Sequence, residues 1–331
     1  MRHDGAIAMR VSLDALQFSL PLFSRPECLL RCASGDMFAS HKGAGVLQVR
    51  PDGTHRVLGA KPGLTDTELF LPNGIALSTD GTLFIANILG EGGVWRIGAD
   101  NALVPHLMEA DGTRLVAANF VMIDRQGRLW ITCSTRSVDR SAPVNQGVQD
   151  GFIVLSDERG TRIVADRLWF TNECRVDQSG GALYVCETAG RRISRFPLSA
   201  AGELGARETF AEFPPGTYPD GCAFDAEGHL WMASPISNRV YRVAPNGKPE
   251  LILEDVVPGH VDRVEMARAQ GQFEREHFYM RSGRAVEALT SVAFGGPDLR
   301  TVYLGSLTNT RVASFRADVA GETPVHWDVV R

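Results

Sequence analysis

The chain has 331 residues, 44% of them hydrophobic, and a formal net charge of −5. A chain of this size buries most of its apolar surface. It has no long run of Lys and Arg to leave an electrostatic footprint for nucleic acid, and no apolar run approaches the length of a membrane span. The N-terminal stretch MRHDGAIAMRVSLDALQFSLPLF lacks the apolar core of a signal peptide. The six cysteines, Cys28, Cys32, Cys133, Cys174, Cys186 and Cys222, show no paired zinc-type spacing. A cytoplasmic protein with reduced thiols is the expectation.

Along the chain one phrase recurs: a short apolar-alternating run, a turn carrying Asp or Gly, then an aromatic-rich strand. A degenerate copy, ECLLRCASGDMFAS, starts at Glu27, and NGIALSTDGTLFIAN follows from Asn73. Then come NFVMIDRQGRLWITC from Asn119, NECRVDQSGGALYVCE from Asn172, DGCAFDAEGHLWMAS from Asp220 and SVAFGGPDLRTVYLGS from Ser291. The spacings are 46, 46, 53, 48 and 71 residues. Six copies at roughly 40–50 residues predict an all-β, six-bladed propeller occupying 1–331 as a single domain. Each copy reads as four strands, as in NGIALS, TLFIAN, GGVWRI and ALVPHLM of the second. No repeat has a helical period, which argues against solenoids and TIM barrels. The one helical stretch, 260–277, is expected as an insertion between blades five and six.

In a propeller the first strand of each blade lines the central channel. The first residues of the six phrases, Glu27, Asn73, Asn119, Asn172, Asp220 and Ser291, should therefore ring one mouth of it. Asn and Asp before Gly are also ordinary turn residues. Five oxygen-bearing side chains in one register of different repeats are harder to explain as turns. Buried together they need a partner, and a hard cation such as Ca, Mg or Mn, or Zn with a smaller ligand set, accepts oxygen donors. Two residues further along their strands, on the same face as Asn172 and Asp220, Cys174 and Cys222 should point inward as apolar filling.

These phrases resemble the senescence-marker protein/gluconolactonase/luciferin-regenerating enzyme family of regucalcin-like proteins. The resemblance is carried by PDGCAFDAEGHLWMA (219–233), NECRVDQSGGALYVCET (172–188), NFVMIDRQGRLW (119–130) and TSVAFGGPDLRTVYLGS (290–306). It implies one divalent metal held by Glu27, Asn172 and Asp220, with Asn119 contacting substrate; Asn73 has no fixed role in the family and is expected to line the site on the substrate side. Three departures stand out. Blade one has Glu27-Cys28-Leu29 where the family has Glu-Gly-Pro. Blade four has Asn172-Glu173 for Asn-Gly. Ala117 replaces an Arg that contacts sugar lactones.

Two segments exceed repeat length, 134–150 in blade three and 258–289 between blades five and six. Both should overhang the metal side. The second brings Arg263, His277, Tyr279, Arg281 and Arg284 as candidates to face a ligand, and Glu187 of blade four is a candidate to support the metal ligands. The expected activity is metal-dependent hydrolysis of a lactone or related ester of a small molecule, with Asp220 as general base. A non-hydrolytic metal-dependent enzyme, lyase, isomerase or strictosidine-synthase-like, is the alternative on the same scaffold, and a non-enzymatic metal- or ligand-binding protein is a second. No GxSxG elbow, GxGxxG or Walker sequence is present. A monomer or small homo-oligomer is expected.

Overall fold

The computed structural model describes residues 10–43, 45–60 and 70–331; the first nine residues of the N-terminal stretch lie outside them. Six four-stranded antiparallel sheets follow one another along the described chain. Their innermost strands are Leu29–Arg31, Pro72–Leu77, Ala118–Ile123, Thr171–Val176, Cys222–Phe224 and Leu289–Gly295. Each touches the next, and the last touches the first, so the sheets close into a six-bladed propeller around a channel. Blade six takes its outermost strand from the other end of the chain, where Gln17–Phe18 pairs with Ala313 and Ser314.

The recurring Asp-x-x-Gly-x-Leu-Trp phrase has a mechanical explanation. Asp124 Oδ1 accepts from the Gln126 and Arg128 amides at 2.9 and 3.0 Å and so closes the turn between the first two strands of blade three. Its Oδ2 accepts the Trp130 indole N–H at 2.8 Å. Asp225 repeats the arrangement in blade five with Glu227, His229 and Trp231. One carboxylate thus satisfies two turn amides and the polar atom of a fully buried tryptophan.

The innermost strands are interrupted where the phrases begin. Register shifts fall between Pro72 and Ile75, Ala118 and Phe120, Thr171 and Cys174, and Leu289 and Val292. These bulges contain Asn73, Asn119, Asn172 and Ser291, and a bulge re-aims a side chain that strict alternation would send elsewhere. Cys174 and Cys222, expected to point inward together, fall in different apolar clusters. Cys174 packs with Cys28, Ile75 and Phe120, whereas Cys222 joins Cys186, Phe224 and Met232 in a separate cluster.

Two α-helices are present among the described residues, α1 (Ala142–Gln146) and α2 (His260–Ala269). They lie in the two long insertions. Val144 of α1, Val264 of α2 and Phe273 share an apolar cluster with Tyr218 and Ile236. Asn145 clasps Phe273, accepting its amide at 2.7 Å and donating to its carbonyl. Glu265 pins α2 to the propeller through Arg191, the Gly216 amide at 2.8 Å and the Tyr218 hydroxyl at 2.7 Å. No helix among the described residues is long and apolar enough to cross a membrane.

Candidate metal and active site

Glu27, Asn73, Asn119, Asn172 and Asp220 line one pocket at one mouth of the channel. All five are buried. Ser291 does not line it; its hydroxyl is buried elsewhere without a partner. Three chain segments outside the ring complete the walls. Arg25 comes from the segment before blade one, Arg140 from the first insertion, and Arg275, Phe278 and Tyr279 from the second.

Hydrogen bonds divide the ring into two groups. Asn73 is fully engaged: its amide donates to Glu27 Oε1 at 2.8 Å and to the Asn119 carbonyl at 2.9 Å, and its Oδ1 accepts from Arg25 at 2.7 Å. Asn119 donates to Ser134 Oγ at 2.9 Å and accepts from Asn73 at 3.2 Å. The Asn172 amide nitrogen donates to Thr188 Oγ1 at 3.3 Å, which turns its Oδ1 away from that partner. Three pocket oxygens are left buried without a partner: Glu27 Oε2, Asn172 Oδ1 and Asp220 Oδ1. Unpaired buried oxygens each cost about 1–3 kcal/mol, more when charged.

Charge adds to that cost. Burial pushes the Glu27 carboxyl well above its usual range, with Arg25 and Arg140 opposing and Glu173 adding to the rise. Asp220 is pushed up by burial and then by the nearby charges of Glu27 and Glu173. Two crowded carboxylates and an amide, each with one oxygen left unpartnered, fit a divalent cation with oxygen preference. Among the described residues no three His, Cys, Asp or Glu side chains converge to hold a metal, so the donor set depends on the Asn172 amide.

Glu173 stands where the family has glycine. It is buried, bonds Arg175 at 2.7 Å and accepts the Cys222 amide at 3.2 Å. Burial raises its carboxyl to about 7 against the pull of Arg175. Its room exists because Gly221 lies opposite: a Cβ there would stand 2.8 Å from Glu173 Oε1 and 2.3 Å from the Thr290 carbonyl. Cys28, another departure, receives the Ile75 amide on its sulfur at 3.4 Å. Ala117 is buried and does not line the pocket.

Of the candidates on the second insertion, Tyr279 lines the pocket and the others do not. Arg263, Arg281 and Arg284 are exposed. Arg281 and Arg284 turn to Glu287 and Asp255. His277 stacks on Phe273 and closes a cap with Glu274. Glu187 is wholly buried but serves blade four, accepting from the Trp169 amide at 2.7 Å, Arg192 at 3.0 Å and Ser194. Sequence reasoning alone misses Arg25 and Arg140, while Arg275 is one of several cationic residues of the second insertion that it offers for an anionic group. The i,i+4 pair Arg275/Tyr279 flanked by Phe273 and Phe278 is the signal that marks the pocket-facing turn.

Residues 42–258 match the model of the SMP-30/gluconolactonase/LRE-like region. The chain belongs to that family. Among curated relatives, the 6-deoxy-6-sulfogluconolactonase of Pseudomonas putida is 26% identical over 230 residues, 68% of this chain and 66% of that protein. Strictosidine synthase-like 6 of Arabidopsis thaliana is 29% identical over 50% of this chain and 44% of its own length. The chain thus spans two thirds or less of these curated relatives. Family structures share the fold. A gluconolactonase of Xanthomonas campestris superposes with a TM-score of 0.66 at 19% identity, covering 95% of this chain and 94% of that one. Regucalcin of Agrobacterium tumefaciens, described as a calcium-binding protein, gives 0.66 at 20% identity, covering 92% of each. The family's matched segment contains four of the five ring residues that line the pocket; Glu27 precedes it.

Proposed function

We propose that this protein opens a lactone of a small molecule by hydrolysis, using one divalent cation held by Glu27, Asn172 and Asp220. One observation carries the reading. The three pocket oxygens left without partners belong to the three residues that the family resemblance implies as metal ligands. The lactonases among its relatives support the reaction class. An all-oxygen donor set favours a hard cation such as calcium, magnesium or manganese.

When bound, such a cation supplies Lewis-acid polarisation of the lactone carbonyl. The chain's own groups do the rest. The Asp220 carboxylate, on the pocket floor, takes the proton of the attacking water. Asn73 fixes Glu27 by its 2.8 Å bond, and Arg25 fixes Asn73 in turn. The Asn119 side chain, held by Ser134, offers its amide edge to the substrate. Phe170, Phe278, Ile88 and Leu307 exclude water.

The free space among these groups is about 40 Å³. That is room for one or a few waters, not for a lactone ring. Entry of substrate therefore requires the turn Arg275–Phe278 and Tyr279 to move outward.

Lactone opening releases acid, so a pH-indicator screen of neutral and anionic lactones with added Ca, Mg, Mn or Zn tests the reading. Turnover that requires a divalent ion and is lost in Asp220→Asn is expected. Acid release by the variant at the wild-type rate would defeat it. A lyase or isomerase would transform a substrate without releasing acid.

A further inference from the structure

Three arginines converge on the pocket, and none of them forms an ion pair among the described residues. Arg25 donates to the Pro72 carbonyl and to Asn73 Oδ1, and its Nε is buried without a partner. Arg140 Nε is likewise buried and unpartnered, and its guanidinium lies 6.0 Å from the centre of the Phe170 ring. Arg275 meets Tyr279, donating to its hydroxyl at 3.3 Å with the guanidinium 5.4 Å from the ring centre. Other arginines of the same insertions are satisfied by the protein. Arg136 pairs with Asp166, Arg268 donates to the Ala189 carbonyl, and Arg284 pairs with Asp255.

The charges are mutually felt. Burial first, then Arg275 and Arg25, hold the Arg140 guanidinium down at about 10 against the favourable pull of Tyr279 and Glu27. Tyr279, which burial alone would raise, is drawn down to about 8 by Arg25 and Arg275. The acids lining the pocket are Glu27 and Asp220, and both are committed to the cation on the reading above. Three guanidinium groups in a water-poor pocket are a standing cost unless an anion joins them. Their planar forks match carboxylate, sulfonate and phosphate oxygens.

We infer that Arg140 and Arg275, one from each insertion, form with Arg25 and Tyr279 an anion-binding subsite beside the proposed metal ligands, and that the substrate carries an anionic substituent away from its lactone bond. The inference rests on the proposed lactonase reading for the word substrate, but the subsite stands on the arginines alone. It also gives the two insertions a joint task. Asn145 clasps Phe273, so the arginines either side of that clasp are set by one another. An anion bridging Arg140 and Arg275 would hold the turn shut after substrate has entered.

Two measurements test it separately. In the first, sulfate, phosphate and acetate are titrated calorimetrically into the wild-type protein and into Arg140→Gln/Arg275→Gln. Saturable binding of at least one anion, weakened at least ~10-fold in the double variant, is expected. No saturable binding to the wild type, or equal binding to both, overturns the subsite, and the preferred anion distinguishes a carboxylate from a sulfonate or phosphate. In the second, kcat/KM is compared for a lactone bearing a side-chain carboxylate and for its carboxamide. The anionic-to-neutral ratio should fall at least ~30-fold in the double variant, and an unchanged ratio would overturn the substrate assignment. If the glutamine pair does not fold, Arg140→Lys/Arg275→Lys keeps the charge but loses the fork, and a partial loss of the ratio is then expected against none for a surface role. Anion binding without any lactone turnover would remove the lactonase reading and leave the subsite. Lactone turnover with no charge preference would leave the lactonase reading and remove the anionic-substituent assignment.

Discussion

The two mouths of the channel are opposites. On the proposed metal side the pocket is small, about 40 Å³, and rimmed by carboxylates, amides and guanidinium groups. The other mouth holds a cavity of about 270 Å³ walled by Leu30, Ile75, Phe120, Val292 and Phe294. It is strapped by the C-terminal segment, whose Trp327 carbonyl accepts from the Ala33 amide at 2.7 Å and whose Arg331 carbonyl accepts from Gln48 at 2.9 Å. Volume and chemistry have parted company. The larger space has mainly apolar walls with charged groups such as Arg31 and Arg175 among them, while unpartnered ring oxygens gather where little space remains. Between the two ends lies the buried pair Glu173–Arg175, with Arg175 lying over the Phe120 ring at 4.5 Å and lining the apolar cavity.

The contrast breaks most sharply at Asp220. Asp220→Ala should lose the bound divalent ion and at least ~10³-fold in kcat/KM, while elemental analysis of the purified variant and wild type reports the metal. Equal metal content in both would return the polar mouth to a structural role. Glu173→Gln strands the Arg175 charge in the channel. A stability loss of roughly 3 kcal/mol is expected in urea unfolding, in the range for breaking a buried pair, though less is expected if Arg175 reaches water through the apolar cavity.

The strapped mouth has an acid-sensitive group of its own. Burial and then Arg175 hold His326 down at about 4. A histidine depressed in the folded state binds its proton more readily when unfolded. Its neutral form therefore contributes fully above the unfolded value near 6.5, and that contribution is lost as pH falls from about 6.5 to 4, by at most roughly 3 kcal/mol. His326→Asn should flatten that part of the stability–pH curve without altering metal content. A curve that keeps its shape would place the acid response elsewhere. The smallest effect is expected at the clasp. Asn145→Ala removes two hydrogen bonds to Phe273 and should cost about 1–2 kcal/mol, raising KM more than it lowers kcat as the turn loosens.

The repeat phrase makes the propeller legible in the sequence, because its turn Asp and Gly and a following aromatic recur from copy to copy, with the full Asp–Trp arrangement in blades three and five. The register of its first residue makes most of the pocket floor legible too. What stays hidden depends on tertiary context. Arg25 precedes the most degenerate copy and has a left-handed backbone, φ 55°, which no pattern announces. Glu173 reads as a lost glycine until Gly221 is seen to leave it room. On the second insertion five charged or aromatic residues are equally eligible by type. The choice falls to the turn after Phe273, whose aromatic anchors bury one side and leave Arg281 and Arg284 to Glu287 and Asp255.

Blade six is completed by Gln17 and Phe18, among the earliest described residues to leave the ribosome, pairing with Ala313 and Ser314, among the last. The polar mouth needs Glu27 from one end of the ring and Asp220 from far along it. Neither can be brought into place by half a chain. During synthesis the acidic floor is therefore assembled late, when the circle closes, and capture of a cation there would mark a finished molecule. A nascent or truncated chain lacking the last strands would be expected to show no such affinity, however well its individual blades had formed.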